Sequence, residues 1–364
     1  MANILTCYYR PKPGGLCKRL FRAIEALLKK GHTVHYLSVI PFPITHHNCY
    51  FHRFPWPEDK TENLLFWGVF QILAPVVLIY LGYKHRITHI FSFGYTYSLL
   101  MQPLRLIKRI PSSLFIRADT IENHRLKGRG LWLLVLEQWL EGFGIANVRV
   151  YGVSDSLTHS ITSRHRFLKP KYTGTLRNDI EKWPLRRKAK LNFSFPLQLA
   201  IVGILEKRKN QHFLLEVFEK VDPHEAHLYL YGIGPEETKL KRTVREKHIH
   251  RYVHFMGWVE SHKIWQSIDL LLMPSLHEGA PNSVLEAMAY GVPALVSDIP
   301  EHREILPDDS LLLLDDPMIW TYRLQAIIEN PDFELKKLID SQEPYVKYLT
   351  FDWDKEICMY ILDE

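Results

Sequence analysis

The chain switches repeatedly between two hydrophobic patterns. Short runs such as "NILTCYY" (3–9), "TVHYLSVI" (33–40), "ITHIFSFG" (87–94) and "SSLFIRAD" (112–119) are rich in β-branched and aromatic residues and end in turn-forming or polar ones, as buried strands do. Between the first two lies "LCKRLFRAIEALLKKGH", where Leu16, Leu20, Ile24, Leu27 and Leu28 recur at helical spacing and Gly31 supplies the stop. "VRVYGVSDSLTHSI" adds a strand and a helix capped by Ser154 or Asp155. Strands separated by helices run parallel and are joined by crossovers.

The same alternation restarts after a basic, proline-bearing stretch at 181–196. "LQLAIVG", "AHLYLYGIG", "YVHFMGWV", "IDLLLMPS" and "PALVSD" supply five further strands, with "NQHFLLEVFEKV" the longest helix among them. The pattern predicts an α/β protein of two Rossmann-like, doubly wound domains, the first over 1–183 and the second over 184–344, with a helical tail near 345–364 packing back on one of them. At 364 residues the chain is long enough for two such cores. Parallel sheets bind ligands at the carboxyl ends of their strands, so the two domains are expected to face a central cleft.

Composition narrows the classes. A hydrophobic fraction of 46% with 24% charged residues is that of a globular protein, not a disordered or fibrous one. The net charge of +6 permits an anionic partner but is small for a nucleic-acid binder, and the aromatic residues fall on apolar faces, so no nucleic-acid partner is expected. Cys7, Cys17, Cys49 and Cys358 lack metal or disulfide spacing, and the first residues show no export signal; both suit the cytoplasm. One stretch complicates this: 64–83 is twenty residues without a formal charge, long enough to span a bilayer. Gln71, Pro75 and its place between two strands favour a helix packed on the sheet. With the basic residues Lys18, Arg19, Arg22, Lys29 and Lys30 of the first helix, it also suggests peripheral docking on the inner face of an anionic membrane.

The densest chemistry lies in "HEGAPNSVLEAMAYG" (277–291), a turn leading into a helix closed by Gly291. The first amides of that helix, around Asn282 and Ser283, lack intrahelical partners and favour a phosphate. Glu278 in the turn can accept bonds from hydroxyls beside it; equally, Glu278 can be a capping residue and Glu286 one half of an ion pair. His46, His47 and His52 could be metal ligands, but without an ordered carboxylate they read as a solvated loop. Asp308, Asp309, Asp315 and Asp316 read as exposed turns, so no metal site is expected.

"PSLHEGAPNSVLEAMAYGVPALVSD" resembles the motif of the retaining glycosyl transferases group 1 (GT4), which have the two-domain GT-B fold. "AIVGILEKRKNQHFLLEVF", "LYGIGPEETKLKR", "VHFMGWV" and "DIPEHREIL" extend the resemblance over most of 199–306, and "YYRPKPGG", "VYGVSDSL" and "TLRNDIEKW" carry it into the first half. The resemblance implies a nucleotide-sugar donor, a UDP- or GDP-sugar, and no required cofactor or metal. It places Glu286 at the ribose, Glu278 at the transferred sugar, and Lys209 with Arg208 at the diphosphate. Gly279, Ala280, Pro281, Asn282 and Ser283 would form the turn and helix start, Gly14 and Gly15 would offer backbone amides, and Val259 would meet the base through its backbone. The acceptor would be a glycan, glycolipid or other hydroxyl compound. This chain departs from the pattern in having Ile204 where an Arg often stands, and Arg117-Ala-Asp119 in place of a His-Asp pair. Arg117 stays protonated and could bind an anion, whereas Asp119 or His124 could assist the acceptor hydroxyl. An inactive nucleotide-binding scaffold and a sugar-nucleotide epimerase are the competing readings.

Overall fold

The computed structural model describes all residues except 13, 127, 181–192, 222–224 and 364, so the expected linker and its boundary at 183 lie largely outside the described residues. The chain forms two compact units, Met1–Arg177 with Asp352–Glu364, and Asn178–Phe351.

Unit 1 contains β1 (Asn3–Cys7), α1 (Gly15–Lys29), β2 (Thr33–Ser38), β3 (Cys49–Arg53), α2 (Leu64–Lys84), β4 (His89–Phe93), α3 (Tyr95–Lys108), β5 (Ser112–Ile116), α4 (Thr120–Leu126), α5 (Leu131–Ile145), β6 (Arg149–Gly152), α6 (Asp155–Ser163) and β7 (Tyr172–Thr175). Its strands pair in parallel in the order β3-β2-β1-β4-β5-β6-β7. Parallel crossovers are right-handed, which puts α1 on one face of the sheet and α2, α3, α5 and α6 on the other. The expected central strands are present, and Ser154 caps α6 by accepting from the Leu157 amide at 3.2 Å. The pattern missed β3 and β7, the two edges. β3 reads "CYFHR", with no apolar run because only part of it is covered. The tract read as a solvated loop therefore divides: His46 and His47 precede β3, and His52 lies within it.

Unit 2 contains β8 (Leu197–Val202), α7 (Gln211–Phe218), β9 (Ala226–Tyr231), α8 (Glu237–Glu246), β10 (Val253–Gly257), α9 (Ser261–Ile264), β11 (Leu270–Met273), α10 (Asn282–Ala289), β12 (Ala294–Ser297), α11 (Pro300–Arg303), β13 (Leu311–Leu312), α12 (Pro317–Glu329) and α13 (Pro331–Tyr348). The parallel order is β10-β9-β8-β11-β12-β13. Two apolar clusters form its core, one around Leu199, Phe218 and Trp320, the other around Trp265, Leu271 and Met288.

The chain ends in α14 (Trp353–Leu362), which belongs to unit 1. Trp353 is fully buried beneath the Arg19 and Arg22 guanidiniums, 5.1 and 5.0 Å from its ring, and Arg22 donates to Asp354 at 2.6 Å. Two of the five cations that sequence suggested for a docking face thus pack α1 against α14, and α1 lies on the opposite face of the sheet from α2.

Candidate active site

In unit 2 the chain runs from β8 outward to β9 and β10, then returns to add β11, β12 and β13 on the other side. At such a reversal the loops after the two central strands part and leave a crevice. Here those loops are 203–210 and 274–281, and the Leu276 amide ties them by donating to the Arg208 carbonyl at 2.9 Å.

Glycines permit the first loop to turn where it does. A Cβ on Gly232, whose φ is +133°, would lie 2.0 Å from the Gly203 carbonyl oxygen, and one on Gly234 would lie 2.3 Å from that of Leu205. The "GIG" after β9 is therefore the floor on which the 203–205 backbone rests. The loop then presents Glu206, Arg208 and Lys209 in a short 3-10 turn and starts α7 from Asn210 in the left-handed region, φ 53°.

Glu278, from the second loop, meets them. Its side chain is buried, with Lys209 Nζ 2.7 Å from one oxygen and an Arg208 nitrogen 2.9 Å from the other. Arg208 also donates to the His277 carbonyl at 3.0 Å and pairs with Glu206 at 2.7 Å. Burial alone would raise the Glu278 pKa, but the Lys209 charge, followed by that of Arg208, outweighs it and holds the carboxyl at about 2. Burial would likewise lower the Arg208 pKa, and Glu278 and Glu206 turn the net shift upward. Two cations and two carboxylates form one ionised cluster.

Gly279, Ala280 and Pro281 complete the turn into α10. The helix has no side-chain cap; the Asn282 amide donates to Ala280 at 2.9 Å, and the Asn282 side chain accepts from Asn178 at 2.5 Å. The early amides, Ser283 among them, present the positive helix end beside Glu278. Glu286, one turn on and half-buried, accepts from the Ser261 hydroxyl at 2.7 Å, which in turn accepts from Trp265 Nε1 at 3.1 Å. Val259 packs against the core of unit 2, leaving its backbone as its polar contribution. Ile204 is exposed, 56% of its surface facing solvent, so Arg208 and Lys209 are the cations of this loop nearest Glu278.

Sequence reasoning missed several supporting groups. Glu206 sat in "LEKRK", where the cations drew attention. His277 pairs with buried Glu301 at 3.1 Å, and fully buried His302 donates from Nδ1 to the Ser297 carbonyl at 2.7 Å. Burial pulls the His302 pKa down. The signal was "DIPEHREIL", which carries part of the resemblance but was given no role for its histidine.

The remaining expected residues belong to unit 1. Gly14, with φ +130°, and Gly15 start α1 at that sheet's own reversal, between β1 and β4. Arg117 follows β5, and His124 lies in α4. Asp119 is buried with both oxygens engaged: Arg164 binds them at 3.0 and 2.7 Å, Ser160 donates at 3.2 Å and the Glu122 amide at 3.0 Å. Burial would raise its pKa, but these donors bring it below the ordinary value. Asp119 thus anchors the start of α4, a different position from the open base that sequence suggested.

Among the described residues, His35, His52 and His85 could offer three metal ligands, their nitrogens lying within 4.8 Å of one another. His35 Nδ1 and His52 Nε2 already share a 2.9 Å hydrogen bond, and burial, with neighbouring histidines and Lys84 adding to it, lowers both pKa values to about 4.

Comparison with known proteins bears on both units. Residues 196–330 match the family model of the glycosyl transferases group 1. The O-antigen biosynthesis glycosyltransferase WclY of Escherichia coli is 30% identical over 112 residues, a match covering 30% of this chain and 31% of that protein. The chain thus spans about a third of this curated relative in the match. Among solved structures, sucrose-phosphate synthase from Thermosynechococcus elongatus superposes with a TM-score of 0.77 at 16% identity, covering 99% of this chain and 97% of its own. Anabaena HepE, solved in complex with UDP-glucose, gives 0.75 at 14% identity and covers 100% of each. The chain therefore has the GT-B fold, and residues 196–330 of its second unit are similar to the glycosyl transferases group 1.

Proposed function

We propose that the protein is a retaining glycosyltransferase of the GT4 type that moves a sugar from a nucleoside-diphosphate donor to an acceptor hydroxyl, without a required metal, in cell-envelope glycan synthesis at a membrane surface. The observation that carries this reading is the ionised cluster at the reversal point of unit 2: a buried glutamate holding two cations beside an uncapped helix start. Cleavage of the sugar–phosphate bond places negative charge on the departing diphosphate, and donors fixed in advance lower that barrier most. Arg208 and Lys209, oriented by Glu278, and the first amides of α10 are such donors. In this reading Glu278 would accept from hydroxyls of the sugar as the donor displaces part of its cation contacts, and Glu286, oriented by Ser261, would hold the ribose.

The donor reading draws on HepE, solved with UDP-glucose, and the envelope reading on WclY, named for O-antigen biosynthesis. The inactive-scaffold reading weakens because Arg208 stands beside Glu278 although Ile204 occupies the usual Arg position. A thermal-shift panel of UDP-, GDP-, ADP- and dTDP-sugars tests it. A ligand that binds only the folded state raises the melting temperature by mass action. One series should stabilise the wild type and fail with Glu286→Ala; no shift with any donor would sink the reading. Retention is read from the anomeric configuration of the product, and metal independence from turnover in excess chelator.

A further inference from the structure

The outer surface of the α2–α3–α5 layer in unit 1 has a composition that the sugar-transfer site does not explain. On α2, Phe66, Phe70, Ala74 and Leu78 recur every fourth residue and are fully buried. The opposite side of the helix is also apolar: Ile72, Val76 and Tyr80 are 72%, 63% and 58% exposed. A helix on the surface of a soluble protein turns polar residues outward, and this one does not. α5 repeats the arrangement with Trp132, Val135, Trp139 and Phe143 exposed.

α3 joins the two helices into one surface. A Cβ on Gly82 of α2 would lie 2.4 Å from Leu104, and Ser98 and Gln102 of α3 donate to the Gly144 and Phe143 carbonyls of α5 at 2.6 and 2.9 Å. Leu106 and Ile107, at the end of α3, face outward. An exposed apolar surface spanning three helices marks an interaction site.

Charge identifies the partner. The carboxyl ends of α2 and α3 lead to the amino ends of the central strands β4 and β5, and the chain nearby carries exposed Lys84, Arg86 and Arg109, with Lys169 and Lys171 leading into β7. α2 and α3 contain no carboxylate. The two on α5 are occupied, Glu137 by the Tyr95 hydroxyl and Glu141, buried, by His165 at 2.9 Å. Exposed tryptophan, tyrosine and aliphatic side chains bordered by cations match the headgroup boundary of an anionic bilayer.

We propose that the α2–α3–α5 face seats unit 1 on an anionic lipid surface, with these helices lying in the plane of the headgroups. α2 is long enough to cross a membrane, but crossing would strip Phe66, Phe70 and Leu78 from the buried interior of unit 1. The proposal rests on the membrane part of the functional reading and not on sugar transfer, so vesicle binding and donor binding can fail separately.

Co-sedimentation of the full chain with phosphatidylglycerol-containing vesicles and with pure phosphatidylcholine vesicles, at low and high salt, tests it. The wild type should bind the anionic vesicles and lose part of that binding at high salt. Ile72→Glu with Val76→Glu, and separately Trp132→Glu with Trp139→Glu, should each weaken binding by at least about tenfold. Arg86→Glu with Arg109→Glu should remove the preference for anionic lipid. An unchanged melting temperature shows that each variant is folded. The proposal is overturned if the wild type does not bind, if the folded variants bind as well as wild type, or if binding survives alkaline carbonate as a spanning helix would. It is equally overturned if the face instead holds a stable homodimer that the same substitutions dissociate.

Discussion

Each unit buries a carboxylate against arginine, and the two serve different ends. Asp119 in unit 1 is bound by Arg164 while also accepting from the Glu122 amide, so it fixes a loop to the helix that follows. Glu278 in unit 2 instead spans Arg208 and Lys209 from a second loop at the point where the strand order reverses. A depressed pKa alone does not separate them, since both are held below the ordinary carboxylate range. The partners do: one carboxylate finishes a structural turn, the other ties two cations of one loop to a second loop at the reversal of the sheet.

The largest effect should follow Glu278→Ala. It leaves Arg208 and Lys209 without their shared counter-charge, and removing one partner of a buried ion pair costs about 3–5 kcal/mol. Denaturant unfolding should show that loss, and Glu278→Gln should recover part of it while transfer stays at least about a hundredfold down, as when a transition-state contact is removed. Transfer within a few-fold of wild type in folded Glu278→Gln would make Glu278 a structural residue like Asp119. Asp119→Asn should cost about 1–3 kcal/mol by weakening its charged bonds, with turnover per folded molecule close to wild type. A collapse of turnover without a change in donor affinity would restore Asp119 as a catalytic group.

How much of this could be read from the sequence follows the same division. The central strands and "HEGAPNSVLEAMAYG" were legible because buried parallel strands are continuous apolar runs and a glutamate in a turn before a helix is conspicuous. The edge strands β3 and β7 were not, since a half-covered strand has no reason to be apolar. That Glu278 joins Arg208 and Lys209 was invisible, because the contact depends on two loops some 70 positions apart, Arg208 to Glu278, meeting at a reversal in strand order. The basic face of α1 misled for a related reason: sequence spacing cannot show that Trp353, from the far end of the chain, covers part of it.

Acid should act on the buried histidines before it acts on the Glu278 cluster. His35 and His52 have folded pKa values near 4 against an ordinary 6.5, so the unfolded chain binds more protons between those values and unit 1 loses stability as pH falls from about 6.5 through 4. Glu278 is depressed from 4.5 to about 2, so its contribution to unit 2 is complete above 4.5 and is lost as pH falls through 2. At pH 5, amide exchange corrected for its intrinsic rate should therefore rise in β2 and β3, and also around His302, whose pKa burial lowers in unit 2, while the Glu278 contacts between loops 203–210 and 274–281 hold. Loss of protection in those two loops at the same pH as in β2 and β3 would remove the distinction.

The smallest expected effect on stability separates apolar surface that holds the fold from apolar surface that does not. Phe70 and Ile72 are two residues apart on α2, one fully buried and the other 72% exposed. Phe70→Ala should cost about 3–5 kcal/mol, as loss of a buried aromatic ring does. Ile72→Glu with Val76→Glu should stay within about 0.5 kcal/mol of wild type, the range of surface changes away from packed contacts. Urea unfolding of the three proteins measures both. If the double variant unfolded as readily as Phe70→Ala, the outer side of α2 would be covered in the folded chain, and its apolar character would need no external partner.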